Sequence, residues 1–311
     1  MRDLVFIALF TVAVLLLPLF VTSGFLLNLV VMTLYLALLG QAWNILGGFG
    51  GQFSFGHAVF FGTGAYAMAV LQVKLGMNAW VALPAALALG AAVGLLVGAL
   101  SFRYGLKGSY FALVTLAFAE VFRILANTFQ FTGAGVGIQI PLRDSAADMQ
   151  FAGRAGFLYT ILALCVAGQL VALWLRHSRY GAWLQAVRDN EESAAALGVD
   201  VFRVKLVAIA ISGALMSAGG AFYLQYFRYV DPHIAYGPAI SVEALLAAIV
   251  GGMGTVFGPL LGAAALHALG EGTRSLMEDA PGVNLVAYGV LLVVIVMFLP
   301  RGIMGLFGRK S

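Results

Sequence analysis

Residues 179–205 read RYGAWLQAVRDNEESAAALGVDVFRVK. This is the only long charged stretch in an otherwise apolar chain, and apolar runs of membrane-spanning length flank it on both sides. It holds four of the 17 basic residues (Arg179, Arg188, Arg203, Lys205) and four of the 13 acidic ones (Asp189, Glu191, Glu192, Asp200). Its centre reads as one short, self-contained helix. Asp189 or Asn190 can cap the start, and Glu192, three residues after Asp189, completes a capping box. Ala194, Ala195, Ala196 and Leu197 are strong helix formers, and Gly198 suits a left-handed stop. A capped helix kept in a loop between two spans reads as a contact element; the plainer alternative is a solvated connector that only obeys topology rules.

The composition fixes the class. Mean hydropathy is +0.99, hydrophobic residues make up 62% of the 311, and charged residues 10%. A soluble domain carries roughly 25% charged residues. Apolar runs recur along nearly the whole chain, each long enough to cross a hydrocarbon core of ~30 Å. The fold class is therefore an all-α polytopic membrane protein, read as one transmembrane domain over 1–311 with a cytosolic loop at 177–203. Ten spans are expected, near 4–21, 26–46, 53–73, 79–101, 109–127, 157–176, 204–226, 239–253, 257–270 and 284–300. A cleaved signal peptide at 1–23 competes with the first span, but Leu4–Val21 is long for such a segment and only Arg2 precedes it. The lone Cys165 lies in an apolar run, which excludes disulfides and a cysteine metal site.

Charge placement orients the chain. With both ends inside, Arg2, Arg103, Lys107, Arg176, Arg179, Arg188, Arg203, Lys205, Arg301, Arg309 and Lys310 are cytosolic. Lys74, Arg143, Arg154, Arg228 and Arg274 fall outside, and Arg123 lies within a span. This asymmetry supports N-in, C-in by the positive-inside rule and places 128–156 on the outer face. The net charge of +4 then needs no nucleic acid.

Two glycine clusters interrupt the spans, GGFGGQFSFG at 47–56 and GGMGTVFG at 251–258. Such interruptions suggest discontinuous helices around a central pathway. Their likeness raises a parallel internal repeat, with a glycine-rich coincidence as the alternative. Gly90, Gly94 and Gly98 form one packing stripe on the fourth span, and Gly254, Gly258 and Gly262 another on the ninth.

Polar residues within spans are costly, so each needs a role. Glu120 and Arg123, three apart on one helical face, can form an ion pair facing the bundle or contact a solute. Asn44, Gln52, Ser54 and His57 cluster around the first glycine run, and Glu243 opens the eighth span near the outer surface. These seven are the candidate translocation-path residues; for His57, a hydrogen-bonded structural role competes. No second histidine lies at metal-ligand spacing, and no metal site is expected. The sequence contains no GxxxxGK[ST], GxSxG or HExxH motif, so the chain reads as a non-enzyme whose driving energy comes from an ion gradient or another subunit.

Four stretches carry a resemblance: GGQFSFGHAVFFGTGAYA (50–67), GSYFALVTLAFAE (108–120), AVRDNEESAAALGVDVFRVKL (186–206) and GGMGTVFGPLLGAA (251–264). In this order they closely resemble the branched-chain amino acid ABC transporter permeases, in the LivM-like branch. Glu192–Gly198, ESAAALG, looks like the EAA-x3-G loop of importer permeases, with Ser193 replacing the first alanine. The resemblance implies an ABC importer permease fold in the cell inner membrane, in contact with lipid. Its partners would be a second related permease, two cytosolic ATPase subunits that bind the ATP, and an extracytoplasmic solute-binding protein; the chain itself holds no cofactor. It also implies ATPase coupling through Arg188, Asp189, Glu191, Glu192, Ala194, Ala195, Ala196 and Gly198. The rival readings are an ion-coupled secondary carrier, a channel for a small polar solute, and an ABC permease for urea or short amides.

Overall fold

The computed structural model describes residues 2–21, 23–143, 145–276, 286, 289–290, 293, 297–299 and 301–307. The described chain is mainly helical, with an irregular segment at 51–57, a long loop between 129 and 153 and one two-stranded ladder. Twelve α-helices organise the described residues up to 276: α1 (Arg2–Phe20), α2 (Gly24–Asn44), α3 (Ala58–Val73), α4 (Ala79–Arg103), α5 (Gly108–Thr128), α6 (Arg154–His177), α7 (Arg179–Asp189), α8 (Glu191–Ala196), α9 (Val201–Phe227), α10 (Pro232–Tyr236), α11 (Pro238–Gly251) and α12 (Gly258–Leu276). Six of the described helical segments are long and apolar enough to cross a membrane: Asp3–Phe20, Gly24–Phe49, Ala79–Arg103, Gly108–Thr128, Arg154–His177 and Val201–Phe227. The protein is a multi-pass, all-α membrane protein.

α2 is the central helix. Every residue from Leu34 to Phe49 is buried, and α6, α9, α11 and α12 pack around it. It runs past the expected end at 46, closing with a π-helical turn over Ile45–Phe49. α4 and α9 form the most extensive helix pair among the described residues, and the expected glycine stripe on α4 is its seam. A β-carbon added at Gly94 would come within 2.7 Å of the Ile209 carbonyl oxygen, and one at Gly90 within 2.7 Å of the Gly213 carbonyl. Without side chains at these positions the two backbones touch, the contact that drives helix association where lipid offers no hydrophobic advantage. The second stripe is shorter than expected: Gly258 and Gly262 pack against α11, but Gly254 lies in the turn before α12.

The third and ninth expected spans differ in extent, while the eighth keeps its expected bounds within two residues. The third begins five residues late, at Ala58, because 51–57 is irregular backbone. The eighth is α11, only 14 residues long, with α10 before it and the Gly237–Pro238 step between them. Proline at the first helical position of each fits the break, since it has no N–H to donate to a preceding turn. The ninth extends to Leu276. The tenth, 284–300, lies largely outside the described residues, as do Asp144, Glu278, Asp279, Arg309 and Lys310.

Long-range contacts fix the faces. Asp3 pairs with Arg176 at 3.0 Å, and the Ile303 amide donates to Val250 at 2.8 Å. Both described ends therefore share the face that carries 177–203. On the opposite face β1 (Ile138–Gln139) pairs antiparallel with β2 (Tyr229–Val230), and Asn78 and Trp80 donate to the Ala147 and Ala146 carbonyls. Loop 128–156 and the end of α9 thus lie together. Because the α4–α9 contact is backbone against backbone, Gly94→Leu should lower stability by ~1–3 kcal/mol, the usual cost of overpacking. Thermal unfolding of the detergent-purified protein measures it; an unchanged midpoint would contradict this packing.

Candidate functional site

The charged loop folds as two helices, α7 and α8, rather than the single one expected. Asn190 separates them. Its extended backbone ends α7, and its side-chain oxygen caps α8 by accepting from the Ser193 amide at 2.8 Å. Of the two expected caps Asn190 is the one used. Asp189 closes α7 instead, so the Asp189–Glu192 capping box does not form. Glu192 points into solvent at the second helical position, where a carboxylate still favours the helix dipole. Gly198 takes φ +88° and ends α8 as expected. Ala194 is buried against the bundle, whereas Ala195, Ala196 and Leu197 are exposed, Leu197 at 85%.

Glu191, at the start of α8, is held from three directions. Lys205 of α9 forms a hydrogen-bonded ion pair with it, Lys107 of the α4–α5 turn lies 3.2 Å away, and the Gln52 amide donates at 3.4 Å. The Lys205 side chain is only 5% exposed and sits over the Phe102 ring at 5.3 Å. Partial burial of Glu191 works against its charge, but the two lysines outweigh it and hold its carboxyl below the usual carboxylate range. Arg188 adds a second tie: its guanidinium donates to the Gly48 carbonyl at 3.3 Å and pairs with Asp189 at 3.1 Å.

The two glycine clusters meet beneath these helices. Asn44, fully buried, donates to the Thr255 carbonyl at 2.9 Å and accepts from the Gly254 amide at 2.7 Å. Glycine at 48 is required here, because a β-carbon would fall 2.5 Å from the Gly254 nitrogen. From this clasp the irregular segment 51–57 climbs back into the bundle. Trp43 donates to the Ser54 carbonyl at 2.8 Å, and the Ser54 hydroxyl accepts from the Gly56 amide. His57 Nε2 lies 2.9 Å from Ser212 Oγ, whose own proton goes to the Ala42 carbonyl. Ser212 lies eleven residues into α9, about 16 Å along its axis. At that depth the first amide of α3, Ala58, donates to Ser241 of α11 at 2.9 Å. Non-helical backbone is tolerated at membrane depth only where protein satisfies its polar groups, and these side chains do so. Asn44, Ser54 and His57 thus all carry bonds that hold the segment.

The remaining candidates look outward. Arg123 makes two hydrogen bonds to Glu120, at 2.8 and 2.5 Å, so the expected pair forms. It does not face the interior of this subunit: the Glu120 side chain is 53% exposed on the free side of α5, while Arg123 reaches His233 of α10 at 3.3 Å. Glu243 lines a cavity of about 600 Å³ between α2, α11 and α12, with Tyr35 and His267. Sequence reading missed Lys107 and Lys205 as the partners of Glu191, because nothing in the local sequence links positions this far apart. Their only signal was that basic residues flank the same face.

Replacing Glu191 by Gln strands the Lys205 ammonium in a buried setting, a change that typically costs ~3–5 kcal/mol, and adding Lys205→Met should restore much of it. Because the Glu191 carboxyl is held low, its contribution is fully present above the ordinary carboxylate range and is lost as pH falls through its lowered value. Melting curves of wild type, E191Q and the double variant between neutral and acid pH measure both effects. Equal acid sensitivity in wild type and E191Q would contradict this assignment.

Comparison with known proteins agrees with this architecture. The family described as branched-chain amino acid transport system / permease component matches residues 25–299. The chain is 32% identical to the high-affinity branched-chain amino acid transport system permease protein LivM of Escherichia coli K12, covering 95% of this chain and 74% of that protein. LivM of Salmonella typhimurium LT2 is also 32% identical, over 89% of this chain and 69% of its own length. Permease protein LivH of E. coli K12 is 25% identical over 48% of this chain and 46% of its own length. The chain belongs to the family of branched-chain amino acid transport system permease components.

Proposed function

We infer that the chain is a membrane-spanning subunit of an ATP-driven importer for branched-chain amino acids, located in the cell inner membrane with α7 and α8 in the cytosol. The observation that carries this reading is the build of α8. Asn190 caps it, Glu191 and Ala194 fasten it to the bundle, and Ala195, Ala196 and Leu197 present small apolar side chains to solvent. An exposed leucine between two alanines and a sharp glycine exit suits insertion into a groove on an ATPase subunit. Two such subunits and an extracytoplasmic solute-binding protein would complete the assembly. Load on α8 would pass through Glu191 and Arg188 to the glycine clasp, and along 51–57 to the centre of the bundle.

The second permease subunit would cover the free side of α5. A carboxylate half-exposed within a span is unfavourable against lipid, so Glu120 should face another protein or the water-filled path between two subunits. The solute assignment rests on the relatives named above. A sugar is the second reading, since the ribose import permease RbsC of E. coli K12 is 26% identical over 69% of this chain.

In vesicles carrying the full assembly, Ala195→Trp or Leu197→Asp should cut ATP-driven leucine uptake by about tenfold or more, equivalent to losing ~1.4 kcal/mol of interface. ATPase co-purification should fall in parallel. Glu192→Ala, at an exposed position outside the cap, should retain both. Normal uptake and ATPase retention in both contact variants would overturn the coupling role. Orientation is checked separately. With Ser193→Cys on a Cys165→Ser background, an impermeant thiol reagent should label only after the cells are opened, and labelling of intact cells would reverse the assignment.

A further inference from the structure

On the face that carries α8, a groove of about 470 Å³ runs between α7, the turn after α8 and the first turns of α9. Tyr180, Trp183, Val204 and Val207 give it an apolar wall, and Asp200 and Arg203 also line it. Trp183 is 48% exposed and Val207 42%. α7 turns its other side to the bundle, where Gly181, Leu184 and Val187 are buried. Trp174, at the end of α6, is exposed as well and stacks on Tyr180 with ring centres 5.7 Å apart. The Tyr180 hydroxyl donates to the Val204 carbonyl at 2.5 Å, which ties this aromatic patch to α9. Tryptophan and tyrosine, each with an apolar body and a polar tip, collect where a membrane meets water.

Depth and charge say what the groove receives. Val207 lies six residues beyond Val201, the start of α9, or about 9 Å along the helix axis. A head-group layer is ~5–8 Å thick on each side of the hydrocarbon core. The groove therefore starts among head groups and ends at the first carbons of the chains. Because Val207 belongs to a membrane-spanning helix, that inner end is reached from the bilayer rather than from solution. Arg179 lies four residues before Trp183, one turn away on the same side of α7. Among the described residues it has no hydrogen bond or ion pair, and the Trp183 indole N–H has no acceptor. The neighbouring carboxylates are already engaged. Asp3 pairs with Arg176 at 3.0 Å; Asp200 pairs with the Arg203 guanidinium at 3.0 Å and accepts from the Arg203 amide. Arg179 is thus a surplus cation beside an aromatic groove at membrane level.

We propose that this groove holds an anionic phospholipid of the adjoining leaflet. Its phosphate meets Arg179, whose planar guanidinium matches phosphate oxygens better than a point charge does. The Trp183 indole N–H donates to a phosphate or ester oxygen, and the start of one acyl chain lies along Val204 and Val207. Arg179 and Trp183 take no part in the contact assigned to Ala195, Ala196 and Leu197, so the site does not depend on how α8 works.

The test uses the purified full chain in nanodiscs of equal parts phosphatidylglycerol and phosphatidylcholine, without ATP or partner proteins. A background with Trp80→Phe and Trp174→Phe leaves Trp183 and the fully buried Trp43 as emitters. Lipid composition is held constant and only the label moves: chains brominated near the head group, which quench tryptophan on contact, are carried by one lipid or the other. Label on phosphatidylglycerol should quench Trp183 more strongly, corresponding to a local enrichment of about fivefold, the effect of one basic residue near an anionic lipid surface. Added salt should shrink the difference. Arg179→Gln should abolish it and Arg179→Lys should keep most of it, with the melting temperature of the background unchanged in both. Equal quenching by the two labels would mark ordinary boundary lipid, and quenching by neither would mark a groove closed to the bilayer. Either result, or an anionic preference that persists in Arg179→Gln, would overturn the proposal.

Discussion

The Glu191 carboxylate joins four segments that are remote in sequence: α8, the first turns of α9, the α4–α5 turn and the irregular segment after α2. Its strength comes from asymmetry. Lys205 is almost fully enclosed and would be an unpaired buried cation without it, whereas Lys107 is half in solvent and adds mainly to local potential. Small side chains elsewhere let helices approach, but this ion pair determines where α8 sits relative to the bundle. Arg188 repeats the arrangement one turn earlier by holding a glycine carbonyl in place of a carboxylate.

The bundle therefore has two kinds of contact. α4 and α9 meet backbone to backbone through glycine, leaving little room for relative movement. The path from α8 through 47–57 to His57 and Ser241 consists instead of single hydrogen bonds on irregular backbone. Bonds of that kind exchange partners at low cost compared with separating a close-packed seam. A displacement of α8 would accordingly be taken up along 47–57 before it disturbed α4 and α9.

Much of this was legible in the sequence, for identifiable reasons. Composition and the length of apolar runs fix an all-α membrane fold, because a bilayer leaves few other choices. Cap chemistry located α8, since Asn190 and Gly198 act locally. The span at 53–73 was misjudged at its start because hydropathy reports an apolar environment rather than helicity: Phe53 and Phe55 are apolar but lie in irregular backbone. The Glu120–Arg123 pair was legible from spacing, yet its outward face was not, because a helix's orientation depends on neighbours. The partners of Asn44 were not legible, because they lie far away along the chain.

The separation between Asn44 and Thr255, 211 residues, has a consequence for synthesis. During translation α2 and the segment after it enter the membrane long before α9, α11 or the second glycine turn exists. Until then the Ala58 amide lacks Ser241, and His57 lacks Ser212. Bare peptide groups do not persist in hydrocarbon, so this segment must wait at the interface or in the insertion machinery. It can enter the bundle only after the last third of the chain has emerged, and a ribosome stalled before that point would carry a nascent protein whose centre is still open.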